Sequence, residues 1–116
     1  MLSRRQKIRR VEFLKVLSKG KIFHFPLFLL RIFFDKEQSA APSRISFVVS
    51  AKVSKKAVVR NKLKRRGYAI IQKHKTKISP GCMCVFFLKK ESAAALFKEL
   101  EKEIVAALKR AQIFYE

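Results

Sequence analysis

At 116 residues the chain holds one domain's worth of core and not two. It is 49% hydrophobic with eleven Phe, so that core needs no disulfide staples. Against this, 28 Lys+Arg face only 8 Asp+Glu, a formal charge of +20; such self-repulsion points to a polyanionic partner, nucleic acid ahead of an anionic membrane.

Residues 1–8 carry Arg4, Arg5 and Lys7 with little to bury and read as a mobile basic arm before a single domain at 9–116. From about 9 to 19, Val11, Phe13, Leu14, Val16 and Leu17 recur at near-helical spacing, and Gly20 is a natural stop. No secretory signal is expected, because Val11-Glu12-Phe13 interrupts the apolar run such a signal needs. Residues 22–34 are the most hydrophobic stretch. Broken by Pro26 and Arg31, they fall short of the roughly 20 residues a bilayer span requires, and read as one long strand or two split at Pro26. The chain is therefore expected to be soluble and cytoplasmic.

A turn at 35–43 leads to a second strand at 44–50, rich in β-branched and aromatic residues. Ser54 is a candidate cap for a helix over about 55–75. Ser79-Pro80-Gly81 predicts a turn and residues 82–88 an apolar strand, with Cys82 and Cys84 as small buried residues in a reducing compartment. Ser92 is a candidate cap for a last helix to about 111, on which Leu96, Leu100, Ile104 and Leu108 step at four-residue intervals. Helix, strands, helix, strand, helix is the pattern of an α+β protein, a two-layer α/β sandwich in which 44–88 joins neighbouring parallel strands.

Residues 52–66 hold eight cations and no acid, namely Lys52, Lys55, Lys56, Arg60, Lys62, Lys64, Arg65 and Arg66. No acid lies anywhere between Glu37 and Glu91. With about 100° per residue, Val59, Leu63 and Ile70 make a buried stripe with Gly67 beside it. Arg60, Lys64, Tyr68, Asn61 and Arg65 then form an outward arc of guanidinium forks, an ammonium, an amide and a ring, a set suited to phosphate. An ordinary solvated helix face mixes charge signs, and this one does not. His74 falls on the packed side. No metal-ligand spacing, glycine-rich phosphate loop or Ser/His/Asp set accompanies it, so the chain alone does not read as a nuclease.

The text Arg60-Asn61-Lys62-Leu63-Lys64-Arg65, preceded by Ala57-Val58-Val59, resembles the signature helix of the bacterial ribonuclease P protein subunit. Residues 13–20, 44–50 with Lys52, and Pro80-Gly81 with the following strand extend the likeness over about 9–111. Lys55, Leu17, Tyr68 and Ala69 depart from the family's usual Gly, aromatic, Arg and Glu. The resemblance implies an αβββαβα order with a left-handed βαβ crossover, a sandwich shared with a ribosomal protein domain, where the general rule favours the right hand. It also implies a non-catalytic cofactor to the ribonuclease P RNA subunit in an endonuclease that removes the 5′ leader of precursor tRNA. Mg2+ would be held mainly by the RNA, with no cofactor on the protein, no membrane and no obligate protein partner. Lys52, Lys56, Arg60, Asn61, Lys62, Lys64, Arg65 and Tyr68 would contact the RNA subunit; Phe13, Leu17, Arg31, Val48 and Ser50 would line a leader cleft between the first helix and the open sheet face. A structural ribosomal or other general RNA-binding protein fits the charge equally well, and only the motif and the cleft residues speak against it. A DNA-bending or membrane-surface protein fits less well.

Overall fold

The computed structural model describes residues 8–115, so the expected basic arm, Ile8 apart, lies outside the described residues. The elements are α1 (Arg10–Lys19), β1 (Lys21–His24), β2 (Phe28–Phe34), β3 (Arg44–Val48), α2 (Ala57–His74), β4 (Cys82–Leu88) and α3 (Phe97–Arg110). This is the expected αβββαβα order. One mixed sheet runs β1-β2-β4-β3, antiparallel except for the β3–β4 pair. Parallel neighbours need a long connection, and α2 supplies it.

The apolar stretch at 22–34 resolves into a hairpin. Pro26, which has no N–H to give a ladder, sits in its turn, closed by the Phe25 N–H donating to the Phe28 carbonyl at 2.9 Å. β4 is apolar throughout because it is central and covered on both faces. On one face Phe28, Leu30, Ile45, Phe47, Cys84 and Phe86 meet Leu63, Ile70 and Ile71 of α2 and Leu100, Ile104 and Leu108 of α3. Phe47 stacks on Phe86 with ring centroids 4.8 Å apart. Gly67 faces that stack, and a Cβ there would lie 2.6 Å from the Phe47 ring. On the opposite face α1 sets Val16 onto Met83 and Val85. Cys82 and Cys84 are free and buried, and burial pushes both thiols up, as suits inert core residues.

Several local expectations change. Val11 and Leu14 point to solvent, since α1 turns Glu12, Phe13 and Val16 to the sheet and leaves Leu17 half-buried. Gly20 ends α1 in extended backbone rather than a left-handed turn; glycine is needed because a Cβ would collide with the Val16 carbonyl. Neither predicted serine cap forms. Ser54 Oγ accepts the Lys56 N–H at 3.2 Å in a turn before α2, and Ser92 Oγ donates to the Lys89 carbonyl within a short 3-10 segment, Lys90–Ala94. α3 starts instead where Glu99 reaches back to the Leu96 N–H at 3.0 Å, which leaves Leu96 exposed outside the buried stripe. β3 ends at Val48, so Ser50 lies beyond the strand.

Candidate RNA interface

α2 is rotated relative to the sequence expectation. Its buried set is Leu63, Gly67, Tyr68, Ile70 and Ile71, centred roughly 70° round from the Val59–Leu63–Ile70 stripe at about 100° per residue. The cause is that α2 packs on two sides, against β3 and against α3, which widens the dry arc. Tyr68 is the residue this corrects. It is only 9% exposed, its ring lies edge-on to Phe47, and its hydroxyl accepts the Phe47 N–H at 3.3 Å. It faces the core and not a surface ligand.

The solvent face of α2 therefore runs through Asn61, Lys62 and Arg65, with Val58 75% exposed beside them. Arg60 and Lys64 sit half-buried at its margin. Arg60 donates from Nη1 to the Ser54 carbonyl at 2.8 Å, and so holds the loop that carries exposed Lys52, Lys55 and Lys56 against the helix. Arg66 turns the other way, with Nη1 directed at the Ala95 carbonyl. None of the eight cations of 52–66 has a carboxylate within 4 Å among the described residues. Three of the acids are committed elsewhere: Glu12 to Arg9 and Arg44, Glu101 to Lys73 and His74, Glu103 to the Leu27 N–H. The outcome is a cationic surface with little internal neutralisation.

His74 lies on the packed side as expected, 3.0 Å from Glu101. The hydrogen bonds from Lys73 and His74 hold the Glu101 carboxyl below its ordinary value. Among the described residues no group of three or more His, Cys, Asp or Glu is placed to hold a metal ion, and no helix is long and apolar enough to cross a membrane.

The second candidate surface is the sheet face that α1 crosses. Strand alternation puts Arg31 and Val48 on that face, and α1 adds half-buried Phe13 and Leu17; Ser50, exposed beyond the end of β3, has no strand parity to place it there. Register aligns His24, Leu29, Phe87 and Val48 in one row across all four strands. Val16 covers the sheet next to this row, while Phe13 reaches the row's edge, its ring 6.2 Å from Phe87. A shallow, partly apolar trough thus flanks α1. Leu29, Phe87 and His24 are additions to the cleft expected from the sequence. The signal that finds them is strand parity, which an unbroken apolar strand such as β4 conceals. Arg31 contributes differently from a free cation: its Nη1 donates to the Leu17 carbonyl at 2.7 Å and anchors the end of α1.

An α+β sandwich whose basic helix face has no carboxylate partner among the described residues has the architecture of a nucleic-acid-binding protein. The family model for ribonuclease P matches residues 2–112. Ribonuclease P protein components of Rippkaea orientalis and a Pseudanabaena species are each 32% identical to the chain, covering 90% and 99% of it and 84% and 98% of their own lengths. The RNase P protein of Thermotoga maritima superposes with a TM-score of 0.79 at 28% identity, over 91% of this chain and 97% of that one. That of Staphylococcus aureus shares the fold at a TM-score of 0.84 and 21% identity, over 97% and 99% of the two chains. The chain belongs to the ribonuclease P protein family. Its role is that of the protein subunit in this tRNA-processing ribonucleoprotein endoribonuclease, a cofactor partnered with the ribonuclease P RNA.

Proposed function

We propose that the chain grips the RNA subunit through the face formed by Lys52, Lys56, Asn61, Lys62 and Arg65, with Arg60 and Lys64 at its edge, and holds the 5′ leader of precursor tRNA in the trough beside α1. The observation that carries the first half is the cationic face without carboxylate partners. Fixed cations that lack internal partners release counterions from a polyanion, and this is the main source of affinity for a nucleic-acid backbone. The second half rests on the trough. Phe13, Phe87, Leu29 and Val48 offer apolar and aromatic surface of the kind that single-stranded bases use, while Arg31 and Leu17 keep its wall in place.

The test is reconstitution with a bacterial ribonuclease P RNA. The protein is expected to raise precursor tRNA cleavage at low magnesium. No stimulation at any magnesium concentration overturns the reading. In the same assay the affinity gain is expected on substrates that carry a leader and not on mature tRNA.

A further inference from the structure

A cleft of about 370 Å³ opens at the far edge of the sheet, where β2 runs past the start of β1 between the C-terminal ends of α1 and α3. That volume is within the range of ligand pockets, roughly 300–1,000 Å³. Lys19 enters it from α1, Lys21 from β1 and Arg110 from α3, and no acid lines it. Phe34, half exposed, forms part of its floor.

The geometry points to a second RNA site here: we propose that this cleft takes one unpaired nucleotide of the RNA subunit, its phosphate between Lys19, Lys21 and Arg110 and its base against Phe34. Arg110 carries the argument furthest. Its guanidinium lies over two rings, 5.9 Å from the centroid of Phe23 and 5.5 Å from that of Phe25, and it has no hydrogen bond or carboxylate partner among the described residues. The two ring contacts hold the guanidinium in place while leaving its N–H donors free, and a fork with free donors can receive a phosphate in two-point contact.

The ordinary alternative is that these cations only balance helix dipoles. Each helix C-terminus carries about half a negative charge, so two of them fall well short of three full cations. Lys21 is on a strand, and Arg110 turns to the rings instead of back to the last carbonyls of α3. The exposed ring beside the cations makes a nucleotide a better match than a bare anion. The cleft lies at the β1 edge, whereas α2 packs over β3. With about 4.8 Å between strands, the two sites stand roughly 14 Å or more apart across the sheet. Their contributions are therefore separable, and this site does not depend on how the basic helix is used. Most of its strand lining lies on the face of the sheet that α3 covers, whereas the trough lies on the α1 face, which is why the RNA subunit, and not the leader, is the assigned source.

The experiment measures binding of the full-length protein to ribonuclease P RNA across a salt series. Lys19→Gln with Lys21→Gln is expected to flatten the log–log salt slope by about 0.7–0.9 for each phosphate no longer neutralised. Phe34→Ala is expected to weaken binding at fixed salt with the slope unchanged, and Arg110→Lys to weaken it while keeping the charge. Thermal melts show that each variant is folded. Unchanged slope and affinity in folded variants overturn the proposal, whether or not Arg65→Ala lowers the slope in parallel. A slope change confined to precursor tRNA binding by the assembled holoenzyme overturns the assignment to the RNA subunit.

Discussion

The Glu12 carboxylate pairs with the Arg44 guanidinium across 3.2 Å, and this joins α1 to β3, a strand at the edge of the sheet. Glu12 also accepts the Arg9 N–H and Nε at 3.0 and 3.1 Å, and the Ile8 N–H beside it donates to Ser46 Oγ at 3.1 Å. Arg31 fastens the other end of the helix to β2. α1 is thus tied down at both ends, and the position of Phe13 over the trough follows from those ties.

Glu12 should therefore make stability depend on pH. Its side chain is 9% exposed. Burial alone would raise its pKa, but the hydrogen bonds from Arg9 and the charges of Arg44 and Arg9 outweigh burial and hold it below the ordinary 4.5. A carboxyl with a depressed folded-state pKa contributes its stability above the unfolded value and loses it as pH falls through the folded one. Glu12→Gln is expected to cost about 1.5–3 kcal/mol at pH 7, with the gap to the unsubstituted protein closing below pH 4.5. Urea unfolding of both proteins from pH 7 to pH 3 checks it; a gap that stays constant would show that the charge of Glu12 is immaterial.

Tyr68 and Arg65 separate the buried and exposed sides of α2. Tyr68→Phe removes the acceptor of the Phe47 N–H and should cost about 1 kcal/mol of stability, with RNA affinity and its salt slope unchanged. Arg65→Ala should do the reverse, keeping the melting temperature and lowering the salt slope by about 0.7–0.9. A clear loss of RNA affinity in folded Tyr68→Phe would return that residue to the RNA surface.

What is legible in the sequence follows from one-sided burial. Cys82–Leu88 can be read to the residue, because a central strand is apolar throughout and Gly81 precedes it. The basic helix is evident, but its facing is not, because three apolar residues define a stripe only when a single neighbour covers the helix. α2 has two neighbours, β3 and α3, and on the β3 side the ring of Tyr68 enters the core against Phe47. The caps mislead for a related reason: a serine near a helix start has several nearby backbone partners, and Ser54 and Ser92 each bond within a turn. Locally Glu12 shows only as a partner for Arg9 three residues before it; its tie to Arg44 is distant in sequence and gives no local signal.

Gly67→Ala tests how tightly α2 sits on the sheet. Alanine favours a helix over glycine by about 1 kcal/mol, yet its Cβ would lie 2.6 Å from the Phe47 ring. That ring is pinned between Phe86 and Tyr68 and has little room to yield. Overpacking of this kind costs typically about 1–3 kcal/mol, so a net loss of stability is expected, a fall of roughly 3–6 °C in Tm per kcal/mol. An unchanged or higher Tm would mean that α2 can lift from β3 without penalty.

Phe13 and Val16 lie on the same helix three residues apart and are expected to fail differently. Val16 is fully buried on Met83 and Val85, so Val16→Ala removes core volume and should cost stability. Phe13 is half-buried at the margin of the trough, its ring tilted towards Phe87. Phe13→Ala should lower holoenzyme affinity for precursor tRNA by about 5- to 150-fold, the loss of one base stacked at about 1–3 kcal/mol, and leave mature tRNA binding unchanged. Val16→Ala, measured well below its melting temperature, should preserve the ratio of precursor to mature affinity. Equal losses on both RNAs for Phe13→Ala would assign its ring to the packing of α1 and remove it from the leader path.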